Sequence, residues 1–145
     1  MSTLGELLAE HTVLPGGAVD HLHAVVGEWQ LLADMSFADF LLWVPLMSEL
    51  HATAGGGSSV TPLLGDPATA VEWLCVAQAR PTTAPTAHPE DAVTAKVTTE
   101  ENPQLRRAVV EGRICREEDP RWHLEVPIRS ETIPVRHGGR VIAVL

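Results

Sequence analysis

Two cysteines and seven histidines are the residues of this 145-residue chain best suited to chemistry. Metal binding finds little support. His21 and His23 are two apart, so on a helix they point in different directions. No HExxH or CxxC occurs, and zinc sites need convergent ligands at characteristic spacings. Cys75 lies in the apolar run "WLCVA" between Leu74 and Val76. It reads either as a small buried hydrophobe or as a redox-reactive or ligand-contacting thiol, which requires access and a lowered pKa. Cys115 has a more polar setting, among Arg113, Arg116 and Glu117. Whether the two thiols meet is open at this level. Ser-His-Asp context and a GxGxxG are missing, and "AGGGSS" lacks the lysine and the strand–helix setting of a phosphate loop. Catalytic and metal-ligating residues are therefore assigned to none.

Binding is better represented. In "QARPTTAPT", Gln78 and Arg80 alternate onto one face of a strand, and Thr82 follows where the strand opens into a loop. Small-molecule sites are mostly apolar with a few placed polar groups. Trp43, Cys75, Gln78, Arg80 and Thr82 are accordingly the candidate lining of a ligand pocket between a sheet and the segment 81–112. The competing reading is an ordinary strand exit, with Trp29, Trp43, Trp73 and Trp122 packing a core.

Ten basic against 19 acidic residues give a net charge of -9. A nucleic-acid footprint would need a clustered basic patch, and anionic lipid would be repelled. The densest basic run, "LRRAVVEGRICR", is followed at once by Glu117, Glu118 and Asp119 and reads as a solvated face. The chain lacks an apolar run of the roughly 18 residues that span a bilayer, and its start lacks the features of a signal peptide. The expected location is the cytoplasm, where both cysteines stay thiols.

The elements that must position these residues follow from pattern. Thr3 and Glu6 have capping-box spacing, so a short helix runs through Leu8 to Glu10. A longer helix is predicted from about Ala18 to Asp34, with Leu22, Val25, Val26, Trp29, Leu32 and Ala33 as one apolar stripe. "FADFLLWV" (37–44) reads as a strand ended by Pro45. Residues 48–70, rich in Gly, Ser, Thr and Pro, read as a flexible insertion loop. "VEWLCVAQAR" (71–80) reads as the next strand, antiparallel to the first. A helix starts at Asn102-Pro103 and stops at Gly112. "RICRE" reads as a short strand, "EDPRW" as a turn, and "HLEVPIRSETIPVR" and "RVIAVL" as closing strands. Gly138-Gly139 supplies the positive φ angles of a tight hairpin. One antiparallel sheet with helices on its faces makes an α+β domain.

Four blocks, "EWQLLADMSFADFLLWVP", "VAQARPTTAPT", "EGRICREEDPRW" and "IPVRHGGRVIAVL", occur in this order. Together they resemble the N-terminal sensory domain of a family of actinobacterial cytosolic sensor histidine kinases. The resemblance implies a single GAF-like domain over 1–145, followed in a longer protein by PAS and kinase modules. The final apolar strand, running straight to Leu145, agrees with that expectation. It also implies a homodimer and signal reception by a small ligand or redox state, without fixing the ligand or any cofactor. The fragment itself would not phosphorylate. Two departures stand out: the insertion 48–70, and Ala79, where some relatives carry a second cysteine. An alternative class is a thiol-dependent redox enzyme of GAF fold resembling free methionine sulfoxide reductases. A third is a ligand-free dimerisation module.

Overall fold

A computed structural model describes residues 2–46, 66–123 and 125–145. The capping box forms as the spacing predicts. Thr3 Oγ1 accepts from the Glu6 amide at 3.3 Å, the Glu6 carboxylate accepts from the Thr3 amide at 2.7 Å, and α1 runs Leu4–His11.

The long helix is in fact two, α2 (Gly16–Gly27) and α3 (Trp29–Ser36). Gly27 weakens the helix by about 1 kcal/mol, and Glu28 leaves helical geometry at φ -99, ψ 1. The break shifts the expected stripe. Leu22, Trp29 and Ala33 are buried, but Leu32 is half exposed.

The first strand, β1 (Phe40–Leu46), starts three residues later than predicted because Phe37 closes α3 in the left-handed region at φ 55. Pro45 does not end it. It pairs with Trp73 one residue from the strand's end, where a missing donor is tolerated. The insertion lies outside the described residues apart from 66–70, a 3-10 turn over Pro67–Thr69 capped by Asp66, with Ala70 buried.

β2 (Glu72–Ala79) is antiparallel to β1 as expected, and the short β3 (Lys96–Thr98) pairs along its other edge. α4 (Pro103–Glu111) stops at Gly112, at φ 61. Asn102 makes no side-chain cap bond, so proline at the first turn sets the start.

The closing region departs most from expectation. β4 (Cys115–Arg116) pairs with β7 (Glu131–Thr132), and β5 (Arg121–His123) pairs with β6 (Val126–Ile128), each as a separate two-stranded ribbon. Only β8 (Pro134–His137) and β9 (Arg140–Val144) join the main sheet, across Gly138 and Gly139 at φ 57 and 78. The sheet order is β3-β2-β1-β9-β8, all antiparallel.

Strand alternation divides the core in two. Leu74 and Val76 face α1–α3, where they meet Leu8, Leu22 and Trp29. Trp73 and Cys75 face the other way, onto Leu105 and Ala108 of α4 and onto Cys115. The first 79 residues hold nine carboxylates and no Lys or Arg, so the whole net charge belongs to the part carrying α1–α3.

Candidate functional site

Trp43 and Cys75 are brought together. They are register partners across β1 and β2, beside a bulge at Leu42/Trp43, and both belong to the cluster beneath α4. Cys75 is 0% exposed, and its Sγ donates to the Ala77 carbonyl at 3.4 Å. Burial pushes its thiol up to about 12, with the charge of Asp91 adding to the effect. Such a thiol holds almost no thiolate at neutral pH, and the thiolate is the nucleophile. Cys115 is buried in the same cluster, and its Sγ lies 3.8 Å from Glu111 Oε2 and 3.6 Å from the Arg113 carbonyl. Both cysteines are free thiols.

Gln78 and Arg80 form a second group. Gln78 Nε2 donates to the carbonyls of His88 and Glu90, each at 3.3 Å, and its Oε1 accepts from the Ala92 amide at 2.8 Å. Arg80 Nε donates to the His88 carbonyl at 2.8 Å, and its Nη2 reaches Gln78 Oε1 at 3.5 Å. These side chains supply the bonds that the proline-rich segment 81–91 cannot obtain from a strand ladder.

Thr82 stands apart from both. Its amide and hydroxyl donate to Asp34 Oδ1 of α3, at 2.6 and 2.9 Å. The Thr82 donors hold the Asp34 carboxyl below the ordinary aspartate range. Asp39 performs the same task further on. It accepts from the Thr86 hydroxyl at 2.6 Å and from the amides of Ala87 and His88. Sequence reasoning missed both aspartates, because each acts across nearly fifty residues and neither sits in a motif. It also missed a cavity of about 220 Å³ away from all five candidate residues, whose lining includes Leu14, Pro15, Ala18, His137 and Ile142. The described residues hold no cluster of three potential metal ligands. No helix among them is long and apolar enough to cross a membrane.

The burial of Cys75 gives a direct expectation. Cys75→Ala and Cys75→Ser should fold with small losses, whereas Cys75→Gln adds volume at a tight site and should cost about 1–3 kcal/mol. The native thiol should react with a maleimide or disulfide reagent only at the rate of global or local opening. Labelling of folded protein as fast as that of a free thiol would place Cys75 wrongly.

An antiparallel sheet with three helices on one face, and one helix plus irregular chain on the other, is the architecture of a GAF-type sensory domain. Residues 4–145 match the family described as histidine kinase PdtaS, GAF domain. The chain belongs to this family and is a histidine-kinase sensor domain. It is 45% identical, over its whole length, to the sensor histidine kinase PdtaS of Mycolicibacterium smegmatis and to that of Mycobacterium tuberculosis. It spans 25% of those relatives. A solved structure described as the sensor region of a sensor histidine kinase superposes with a TM-score of 0.66 at 43% identity, covering 99% of this chain and 41% of that one.

Proposed function

We propose that this domain binds a small ligand on the α4 side of its sheet and thereby regulates a histidine kinase carried on the same chain in the cytoplasm. The observation that supports this most is how the segment after β2, whose Ala92 packs on the Trp43–Cys75 cluster, is held. Among the described residues, segment 81–93 is fixed by side-chain bonds from Gln78, Arg80, Asp34 and Asp39, and backbone ladder bonds begin at Thr94. Bonds of this kind can exchange partners with a ligand at little cost to the sheet. In this reading Trp43 and Cys75 form the floor, Gln78 and Arg80 form the rim through the loop carbonyls they hold, and Thr82 anchors the same segment to α3 from the other side. The buried, weakly acidic Cys75 thiol favours binding over the catalytic-thiol alternative. Calorimetry against nucleotides and cyclic dinucleotides tests the reading, with kinase autophosphorylation of the longer protein as the functional readout. A domain that binds nothing in such a panel, in a kinase indifferent to the same compounds, would leave the dimerisation module as the better account.

A homodimer is proposed as the route of output. Leu31, Met35 and Phe37 at the end of α3 are 60%, 69% and 64% exposed. The pairing of Trp43 with Val144 sets the end of β9 opposite the middle of β1, the strand that follows α3. Faces free of Lys and Arg repel one another, and salt screens such repulsion beyond about 10 Å at 0.1 M. Sedimentation should show a weak monomer–dimer equilibrium that tightens with salt. Met35→Glu should abolish it, since a charge would be buried unpaired. A dimer indifferent to both salt and Met35→Glu would use another surface.

A further inference from the structure

Two buried acceptors have no role in the site described above. Glu117 is only 10% exposed at its side chain. Its Oε1 holds Arg121 Nη2 at 2.6 Å, and its amide donates to the Ser130 carbonyl at 3.0 Å. Its Oε2 is buried and finds no hydrogen-bond partner among the described residues, and the same is true of Gln104 Oε1. A buried acceptor left unpaired is destabilising, more so when charged, and such groups call for an explanation.

The topology returns the chain that carries Glu117 alongside α4, the helix that carries Gln104. α4 begins at Pro103, Gly112 reverses the chain, and β4 returns in contact with α4. Cys115 is opposite Glu111, and the charge of Glu118 is felt at Arg107, so the chain runs back toward the first turn of α4, where Gln104 stands.

We propose that Glu117 and Gln104 form the polar end of a site under the α4–β4 cover, and that it takes a small cation rich in N–H donors, a guanidinium or a primary ammonium. The chemistry follows from what is missing. An ionised carboxylate and an amide oxygen are acceptors, so a ligand must bring donors. A positive charge makes the bond to Glu117 charge-assisted and about twice as strong as a neutral one. An anion would add acceptors to acceptors. A metal ion lacks further ligands, since no group of three His, Cys, Asp or Glu converges among the described residues.

The same region shows a way in. Arg121 lies on β5, whose only strand partner among the described residues is β6. That hairpin carries Trp122 at 71% exposure and a well exposed Val126. With Trp122 and Val126 both exposed, these two side chains do not hold the hairpin closed. Arg121 therefore acts as a latch, occupying one carboxylate oxygen and leaving the other for the ligand. The inference rests on the sensory reading for its consequence and names the class of ligand for the α4 side of the sheet.

The test is calorimetry of the domain with methylguanidinium chloride, against tetramethylammonium chloride at matched ionic strength. The second cation has the charge without the donors. Methylguanidinium should saturate one site and tetramethylammonium should not. Glu117→Gln should weaken binding about tenfold or more, equivalent to roughly 1.4 kcal/mol, and Glu118→Gln at the exposed neighbour should leave it unchanged. Arg121→Gln removes the latch and should tighten binding, which keeps the test decisive if Glu117→Gln does not fold. Absence of saturable binding, equal binding of both cations, equal loss in Glu118→Gln, or no gain in Arg121→Gln would each overturn the proposal. If methylguanidinium fails while the nucleotide panel binds, this inference falls and the sensory reading stands. If both fail, the sensory reading falls with it.

Discussion

Trp73→Ala should cost about 3–5 kcal/mol of folding stability, the range for removing a large buried aromatic. Trp73 is 0% exposed and is the largest fully buried side chain of the domain. It fills the space between β2 and α4, next to Cys75 and Leu105. Its indole Nε1 also donates to Thr99 Oγ1 at 3.1 Å, and that hydroxyl passes the bond on to the Ala70 carbonyl at 2.7 Å. Truncation therefore opens a cavity and takes away the donor that the partly buried Thr99 hydroxyl accepts from. Domains of this size are stable by only about 5–15 kcal/mol, so the melting temperature should fall by roughly 6–20 °C at about 2–4 °C per kcal/mol. Trp73→Phe separates the two contributions. It keeps much of the volume and loses the hydrogen bond, and should cost about 1–2 kcal/mol. Urea titration followed by circular dichroism measures both. A loss below 1 kcal/mol for the alanine variant would mean that α4 does not seal this half of the core.

Asp39→Ala should release segment 81–93 while sparing the sheet. The carboxylate holds the Thr86 hydroxyl and the amides of Ala87 and His88 from the start of β1. Hydrogen bonds to a charged group are each worth about 1.5–3 kcal/mol net, and the freed donors here can turn to water, so a total near 2–3 kcal/mol is expected. The loss should be local. Amide exchange at Ala87 and His88 should accelerate on the order of 30-fold or more, by the tenfold per 1.4 kcal/mol relation. The amide of Cys75, bonded to the Ala95 carbonyl at 2.9 Å, should stay protected. Gln78 and Arg80 would lose the fixed positions of the His88 and Glu90 carbonyls they now hold. A ligand on this face should then bind with altered affinity. Unchanged protection at Ala87 and His88 would show that the segment is held by something other than Asp39.

Much of this fold is written locally. Thr3 and Glu6 specify the first helix because a capping box closes within four residues. Pro103 and Gly112 bracket α4 by fixing one φ angle and permitting another. Gly138-Gly139 specifies the β8–β9 hairpin in the same way. The alternation in "VEWLCVAQAR" determined that Trp73 and Cys75 share a face, and the family itself was legible in four ordered blocks. Tertiary structure decided the rest. The sequence put five residues in one lining, but the fold distributes them among the core, the loop carbonyls and α3, because a proline-rich segment without a ladder draws on whatever donors and acceptors lie near it. Asp34 and Asp39 could not be read as its anchors, since the partners of each lie about fifty residues away and carry no periodicity. Gly27 lay inside the helix predicted from Ala18 to Asp34, and only packing showed that the helix breaks beside it and turns Leu32 toward the surface. The closing strands looked alike along the chain. Their division between the main sheet and two small ribbons depends on which backbone groups find partners across the sheet, and a local pattern carries no information about that.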